Sequence, residues 1–177
     1  EEILDIDKVT LKGKHNLENI LFIVSVGKLC GISNEKIREF LYQTKTLEHR
    51  MEEFYEYGKM KFINDSKGTN PDAAIQGIRA MTTPTCLIGG GYDKGSTYDE
   101  WIEAFGSTIK YLVLIGQTSK AIADCCEKHG FTNYEFATSM EEAVEKCASH
   151  AKPGEAVLLS PACASWGMFD NYEQRGR

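Results

Sequence analysis

From Pro71 onward the sequence alternates short apolar runs with amphipathic stretches of about ten residues. That alternation constrains the fold more than any other feature. Residues 85–88, 111–115, 134–136 and 156–159 read as strands, the second being the run Tyr-Leu-Val-Leu-Ile. Residues 98–105, 119–128 and 140–150 read as helices. Asn70-Pro71 opens another, with Asn as cap and Pro in the first helical position. Ser139 is placed to cap 140–150, and His129-Gly130 closes 119–128. Strands separated by single helices pair in parallel, because each crossover returns the chain to the same end of the sheet. The expected class is α/β, a mostly parallel sheet with helices on both faces. A hairpin from 51–57 and 59–63, turning at Gly58, is expected ahead of it. In such sheets ligands bind beyond the carboxyl ends of the strands. Three polar loops fall at that edge: 65–70, 89–95 and 160–165.

The first part of the chain follows another rhythm. Residues 3–11 alternate imperfectly and read as the end of a sheet. Leu17, Ile20, Leu21, Val24 and Leu29 recur at helical spacing until Gly31 stops the helix. Ser33 or Asn34 caps a second helix carrying Ile37, Phe40 and Leu41. Residues 45–50 are polar and read as a joint. The expected division is therefore 1–46, a short helical tail of one domain, and 47–177, a second one whose final helix is cut short. A chain of 177 residues suits that reading. It opens on Glu1-Glu2 without an initiator Met or a leader-like stretch, so it is read as a fragment.

Composition excludes some classes. With 42% apolar and 26% charged residues a packed core is feasible. A net charge of -6 argues against a nucleic-acid surface, which needs clustered Lys and Arg. The longest apolar run, residues 20–26, is far short of a membrane span. Cys30, Cys86, Cys125, Cys126, Cys147 and Cys163 form no Cys-x-x-Cys pair, and the four histidines are scattered. Reduced structural thiols in the cytoplasm are expected, and no metal site.

The chemistry sits in the loops. Asn64-Asp65-Ser66-Lys67-Gly68-Thr69-Asn70 offers a carboxylate, an ammonium and two hydroxyls ahead of a helix start. One reading is a carboxylate or phosphate site, with Asp65 free to accept from a ribose hydroxyl. The other is a capped turn with a local Asp65–Lys67 pair. The loop is not a Walker motif, because it lacks the two glycines ahead of Lys-Ser/Thr. Gly89-Gly90-Gly91-Tyr92-Asp93-Lys94-Gly95 also follows a strand; Lys94 can pair with a ligand carboxylate, or be a surface lysine in a turn. In Ser160-Pro161-Ala162-Cys163-Ala164-Ser165-Trp166 small residues let a ligand approach the backbone, and Ser165 can donate to it. Cys163 lacks an assigned base and reads as a packed thiol. Trp166 and Tyr172 are core or line a pocket mouth. Arg50, beside His49 at the joint, reads either as a phosphate or ribose contact or as exposed linker.

Taken in order, these segments resemble the Mur ligases. The matching pieces are His15-Asn16-Leu17-Glu18-Asn19, Leu47-Glu48-His49-Arg50, residues 63–70, residues 90–95, residues 159–165, and Phe169 with Asn171-Tyr172-Glu173-Gln174-Arg175-Gly176. The pattern is most similar to the members that add D-glutamate to UDP-N-acetylmuramoyl-L-alanine in peptidoglycan synthesis. The resemblance implies a Rossmann-like carboxyl-terminal domain from about residue 47, preceded by the tail of a central ATPase domain. It implies an ATP-dependent reaction with Mg: phosphorylation of the substrate carboxylate, then attack of the D-glutamate amine on the acyl phosphate.

By resemblance Asn16 and Asn19 contact adenine. Arg50 and Asp65, with His49 beside them, hold the ribose and phosphate side of ATP. Lys67 is the catalytic cation, and Thr69, Lys94, Ser165, Trp166 and Tyr172 hold D-glutamate. A monomer that binds neither membrane nor nucleic acid is expected. The pattern departs at Gly68, more usually Ala, where little consequence beyond backbone freedom is expected, and at Gly167, commonly Asp. The phosphate loop, the magnesium ligands and the carbamylated lysine belong to earlier residues, so the fragment alone is expected to be inactive. Another Mur ligase, folylpolyglutamate synthase or a non-catalytic Rossmann-like binding module remain alternatives.

Overall fold

The computed structural model describes residues 3–9, 11, 14–44 and 47–177, with the side chains of Lys14 and His15 outside the description. The proposed joint at 45–50 is therefore observed only from Leu47 on. The chain divides into two compact units, Glu1–Leu47 and Glu48–Arg177.

In the first unit a 3-10 turn, Ile6–Lys8, precedes helices α1 (Lys14–Leu29) and α2 (Asn34–Gln43). The described part of 3–11 is thus a turn and irregular chain, not the end of a sheet. Asp5 explains the difference: its carboxylate accepts from Asp7 N–H and caps the turn. Ser33, rather than Asn34, is the N-cap of α2, accepting from Lys36 N–H. Val9, Ile20, Ile37 and Leu41 form a small core, while Leu21, Phe22 and Leu29 of α1 stay exposed.

The second unit carries one six-stranded sheet in the order β1-β2-β6-β3-β4-β5. The strands are β1 (Glu52–Tyr57), β2 (Met60–Asn64), β3 (Thr85–Gly90), β4 (Ile109–Ile115), β5 (Tyr134–Phe136) and β6 (Ala156–Leu159). β1 and β2 form the expected antiparallel hairpin, which extends the sheet rather than preceding it, because β2 pairs in parallel with β6. The other neighbours are parallel. Helices α3 (Pro71–Ala80), α4 (Asp99–Glu103), α5 (Ser119–Lys128), α6 (Met140–His150) and α7 (Tyr172–Gly176) complete the unit. Asn70 and Ser139 cap α3 and α6 through their side chains.

Two apolar layers fix the sheet. On one face Leu87, Leu112, Leu114 and Leu158 pack with Ile78, Trp101, Phe105 and Ile122. On the other Cys86, Ile88, Val113 and Val157 pack with Ala143 and Cys147 of α6. β3 and β4 are buried almost throughout, as strands covered on both faces must be. Gly89 is required for close packing, since an added Cβ would lie 2.6 Å from the Trp101 ring.

Candidate functional site

The strand order decides where the chemistry gathers. β2, β6 and β3 are neighbours, and Asn64, Leu159 and Ile88 share one level of the sheet. The 65–70, 160–165 and 89–95 loops therefore leave side by side. Main-chain bonds then join them. Gly90 N–H donates to Pro161 O and Tyr92 N–H to Ala164 O, both at 2.8 Å. Gly91 N–H donates to Thr118 Oγ1 at 3.0 Å, bringing in the loop after β4. Gly90 and Gly91 have φ of 98° and 150°, and a Cβ on either would sit 2.3 Å from a backbone oxygen.

A cavity of about 240 Å³ opens among these loops, lined by Thr69, Lys94, Ser165, Trp166 and Tyr172, with Ala164, Asn171 and Glu173. The structure thus brings together Thr69 from the first loop, Lys94 from the second, Ser165 and Trp166 from the third, and Tyr172 from α7. One ammonium, one carboxylate, hydroxyls and two aromatic rings converge there, a lining suited to a small charged molecule with an apolar portion. Trp166 is exposed and stands edge-on to Tyr92, at the mouth rather than in the core. The Lys67 ammonium lies 5.4 Å from the centre of the Tyr172 ring, a cation–π distance. It makes no ion pair with Asp65.

Asp65 differs from its expected state. It is buried, and both carboxylate oxygens are engaged: Oδ1 accepts from Met51 N–H at 3.3 Å and Oδ2 from the Ser160 hydroxyl at 2.7 Å. Each oxygen thus carries one hydrogen bond within the protein, and the side chain offers little exposed surface. Burial pushes its pKa up to about 6, against the pull of those hydrogen bonds and of the Arg50 and Arg175 charges. Gly68 also does more than expected. A Cβ there would lie 2.7 Å from Asp65 Oδ2 and 2.9 Å from Ser160 Oγ, so glycine makes room for this pair.

Arg50 is exposed beside the same loop, whereas His49 is buried, with positive φ. Asn64 Nδ2 lies 2.8 Å from both His49 Nδ1 and Gly176 O, and its Oδ1 accepts from Ser66 N–H. The amide therefore donates to His49 Nδ1, which places the imidazole proton on Nε2. That atom is buried without a hydrogen-bond partner among the described residues, with the Tyr172 ring edge-on nearby. His49 thus packs inside the protein. Asn16 and Asn19 lie on α1, in the other unit.

Cys163 is a packed thiol, held between Tyr98 Oη and Thr118 Oγ1 at 3.3 Å each, and burial pushes its pKa up. Asp99, Cys125 and His129 offer ligand atoms within 4.8 Å of one another, a grouping the scattered sequence positions hide. Asp99 already pairs there with Lys128 and His129. Sequence reasoning also gave no role to Arg175, Ser160, Asn64 and Thr118. Each acts through a contact distant in sequence, and a lone arginine among Glu173, Gln174 and Gly176 reads as solvated.

The family model for the Mur ligase, glutamate ligase domain matches residues 49–163. The chain belongs to the Mur ligase family. It is 54% identical to a UDP-N-acetylmuramoylalanine--D-glutamate ligase of Lachnospira eligens, over 99% of this chain and 39% of that protein. It is 43% identical to the enzyme of the same name from Clostridioides difficile, again over 99% and 39%. The chain thus spans about two fifths of the length of these relatives. Solved structures share the fold. A UDP-N-acetylmuramate-alanine ligase of Thermotoga maritima matches with TM-score 0.67 and 18% identity, over 86% of this chain and 35% of that one. A Mycobacterium tuberculosis folylpolyglutamate synthase complexed with ADP matches with TM-score 0.69 and 16% identity, over 87% and 39%. Among the described residues no helix is long and apolar enough to cross a membrane.

Proposed function

We propose that this chain is the carboxyl-terminal part of an ATP-dependent ligase that joins D-glutamate to UDP-N-acetylmuramoyl-L-alanine. The observation that carries the reading is the convergence of Thr69, Lys94, Ser165, Trp166 and Tyr172 on one cavity. D-Glutamate brings two carboxylates and an amine. The Lys94 ammonium and the Thr69 and Ser165 hydroxyls suit the carboxylates, and the rings of Trp166 and Tyr172 suit the methylenes. The names of the 54% and 43% identical relatives favour D-glutamate over other amino acids.

In this reading the chain supplies amine recognition and part of the nucleotide side. A free carboxylate is a poor electrophile, so the γ-phosphoryl group of ATP is transferred to the alanine carboxylate of the UDP-sugar substrate. The D-glutamate amine then attacks the acyl carbon, phosphate leaves and the amide forms. Lys67 and exposed Arg50 are assigned to the phosphoryl groups of ATP, and Asn16 and Asn19 to its adenine. Asp65, assigned to the ribose side of ATP, also holds the Met51 and Ser160 segments, and His49 packs against Asn64. Mg enters with the rest of the full-length protein. Residues 1–46 are the tail of the ATPase domain and 47–177 the amino-acid-binding domain of a monomeric cytoplasmic enzyme. The chain by itself forms no amide.

Titration calorimetry of the chain with millimolar D-glutamate tests the reading. Weak binding is expected, weakened about tenfold or more in Lys94→Ala, as loss of a charge-assisted hydrogen bond requires. Equal heats from the two proteins would remove Lys94 from the site. Binding of L-glutamate as strong as that of D-glutamate would remove the substrate assignment.

A further inference from the structure

Arg175 is the most deeply buried cation among the described residues, at 3% exposure. It makes no direct contact with a carboxylate. Its Nε donates to Ser66 Oγ at 3.0 Å, Nη2 to Ser66 O at 2.8 Å and Nη1 to Cys163 O at 2.9 Å. One guanidinium on α7 therefore grips the 65–70 loop and the 160–165 loop at once. The third loop also closes on it, since a Cβ on Gly91 would lie 3.3 Å from Nη1. Ser66 Oγ accepts from Arg175 and so directs its own proton to Tyr172 O, at 2.7 Å. The same contact thereby fixes the residue whose ring lines the cavity.

The residues flanking these anchor points line the cavity: Thr69 after Ser66, Ser165 and Trp166 after Cys163, and Tyr172 one helical turn before Arg175. Burying a guanidinium carries a desolvation penalty that its hydrogen bonds must offset. An apolar residue would fill the space with no such cost. A guanidinium alone offers rigid donors in three directions, and that geometry sets the spacing of two loops. Burial draws its pKa down to about 10, which leaves the charge intact at neutral pH.

We infer that Arg175 is a positioning residue for the amino-acid substrate: without touching it, the guanidinium holds the 65–70 loop, the 160–165 loop and α7 in the register that forms the cavity. The inference rests on the D-glutamate reading above.

The test uses the full-length ligase carrying Arg175→Lys, Ser66→Ala or both. The KM values for D-glutamate, ATP and the UDP-sugar substrate are measured with the unfolding midpoint. Arg175→Lys keeps the charge but not the three directed bonds. It is expected to raise the KM for D-glutamate tenfold or more while the other two change less than twofold. Ser66→Ala moves the same constant less, and the double variant does not add, because both substitutions break one network. An unchanged KM for D-glutamate, or an equal rise in all three constants, overturns the inference and makes Arg175 a general stabiliser. If Arg175→Lys does not fold, Ser66→Ala decides by the same criterion. An unsubstituted enzyme that does not use D-glutamate defeats the functional reading itself, a separate result.

Discussion

The Ser160 hydroxyl donates to Asp65 Oδ2 at 2.7 Å, tying the loop after β6 to the loop after β2 inside the protein. Burial outweighs this bond and raises the Asp65 pKa from 3.8 to about 6. The folded state then holds the proton more tightly than the unfolded chain. Stability from this group is full below about pH 4 and is lost as pH rises to about 6. The loss amounts to about 2–3 kcal/mol at 1.36 kcal/mol per unit. Urea unfolding of the chain from pH 4 to 7 is expected to show the decline, and Asp65→Asn to remove that component. Parallel profiles for the two proteins would contradict the assignment.

Gly68→Ala places a Cβ against both members of this pair. The Asp65–Ser160 bond must lengthen or break, at a cost of about 1–3 kcal/mol. Ser160→Ala removes one of the two clashes, so the double variant is expected to be less destabilised than the sum of the single ones. Strict additivity in denaturant unfolding would show that the clash is relieved elsewhere.

Asn64→Asp keeps the shape of the side chain but turns the bond donated to Gly176 O into a repulsion between acceptors, while His49 can move its proton to Nδ1 and donate to the new carboxylate. The end of α7 is expected to detach. Hydrogen exchange at amides 172–176 should quicken about tenfold or more, corresponding to the loss of a buried hydrogen bond. Unchanged protection would mean that Arg175 alone retains the helix.

Thiol accessibility gives an independent check of packing. Cys30 is exposed and Cys125 half-buried, whereas Cys86, Cys126, Cys147 and Cys163 are buried. Burial also raises the pKa of each buried thiol. A disulfide reagent is expected to label Cys30 first, Cys125 more slowly and the others only on unfolding. Rapid native labelling of Cys163 would contradict the packed-thiol assignment.

Local signals carried most of the fold. The runs at 111–115 and 156–159, and the Asn70 and Ser139 caps, act through near neighbours, so their elements are readable one at a time. The edge at which the loops gather also follows from parallel pairing. The insertion of β6 between β2 and β3 does not, because that pairing spans about ninety residues of chain. Burial of Asp65 follows from the same insertion, since its partner Ser160 directly follows β6. Arg175 stayed hidden because three neutral acceptors surround it, and no charge pattern in sequence announces such a cradle. Gly68 looked permissive by type; only the approach of Asp65 and Ser160 shows what crowds the space beside it.

The position of β6 has a further consequence, for the order in which the protein is made. The strand β6 lies inside the sheet yet follows the other five strands in sequence. On the ribosome the earlier strands can form only two separate ribbons, β1-β2 and β3-β4-β5, with unpaired inner edges. The cavity lined by Thr69, Lys94 and Ser165 comes into being only when β6 and the loop after it emerge and bridge that gap. A chain stopped at Lys152 should accordingly expose both edges and self-associate, which light scattering of nascent or purified truncations would reveal.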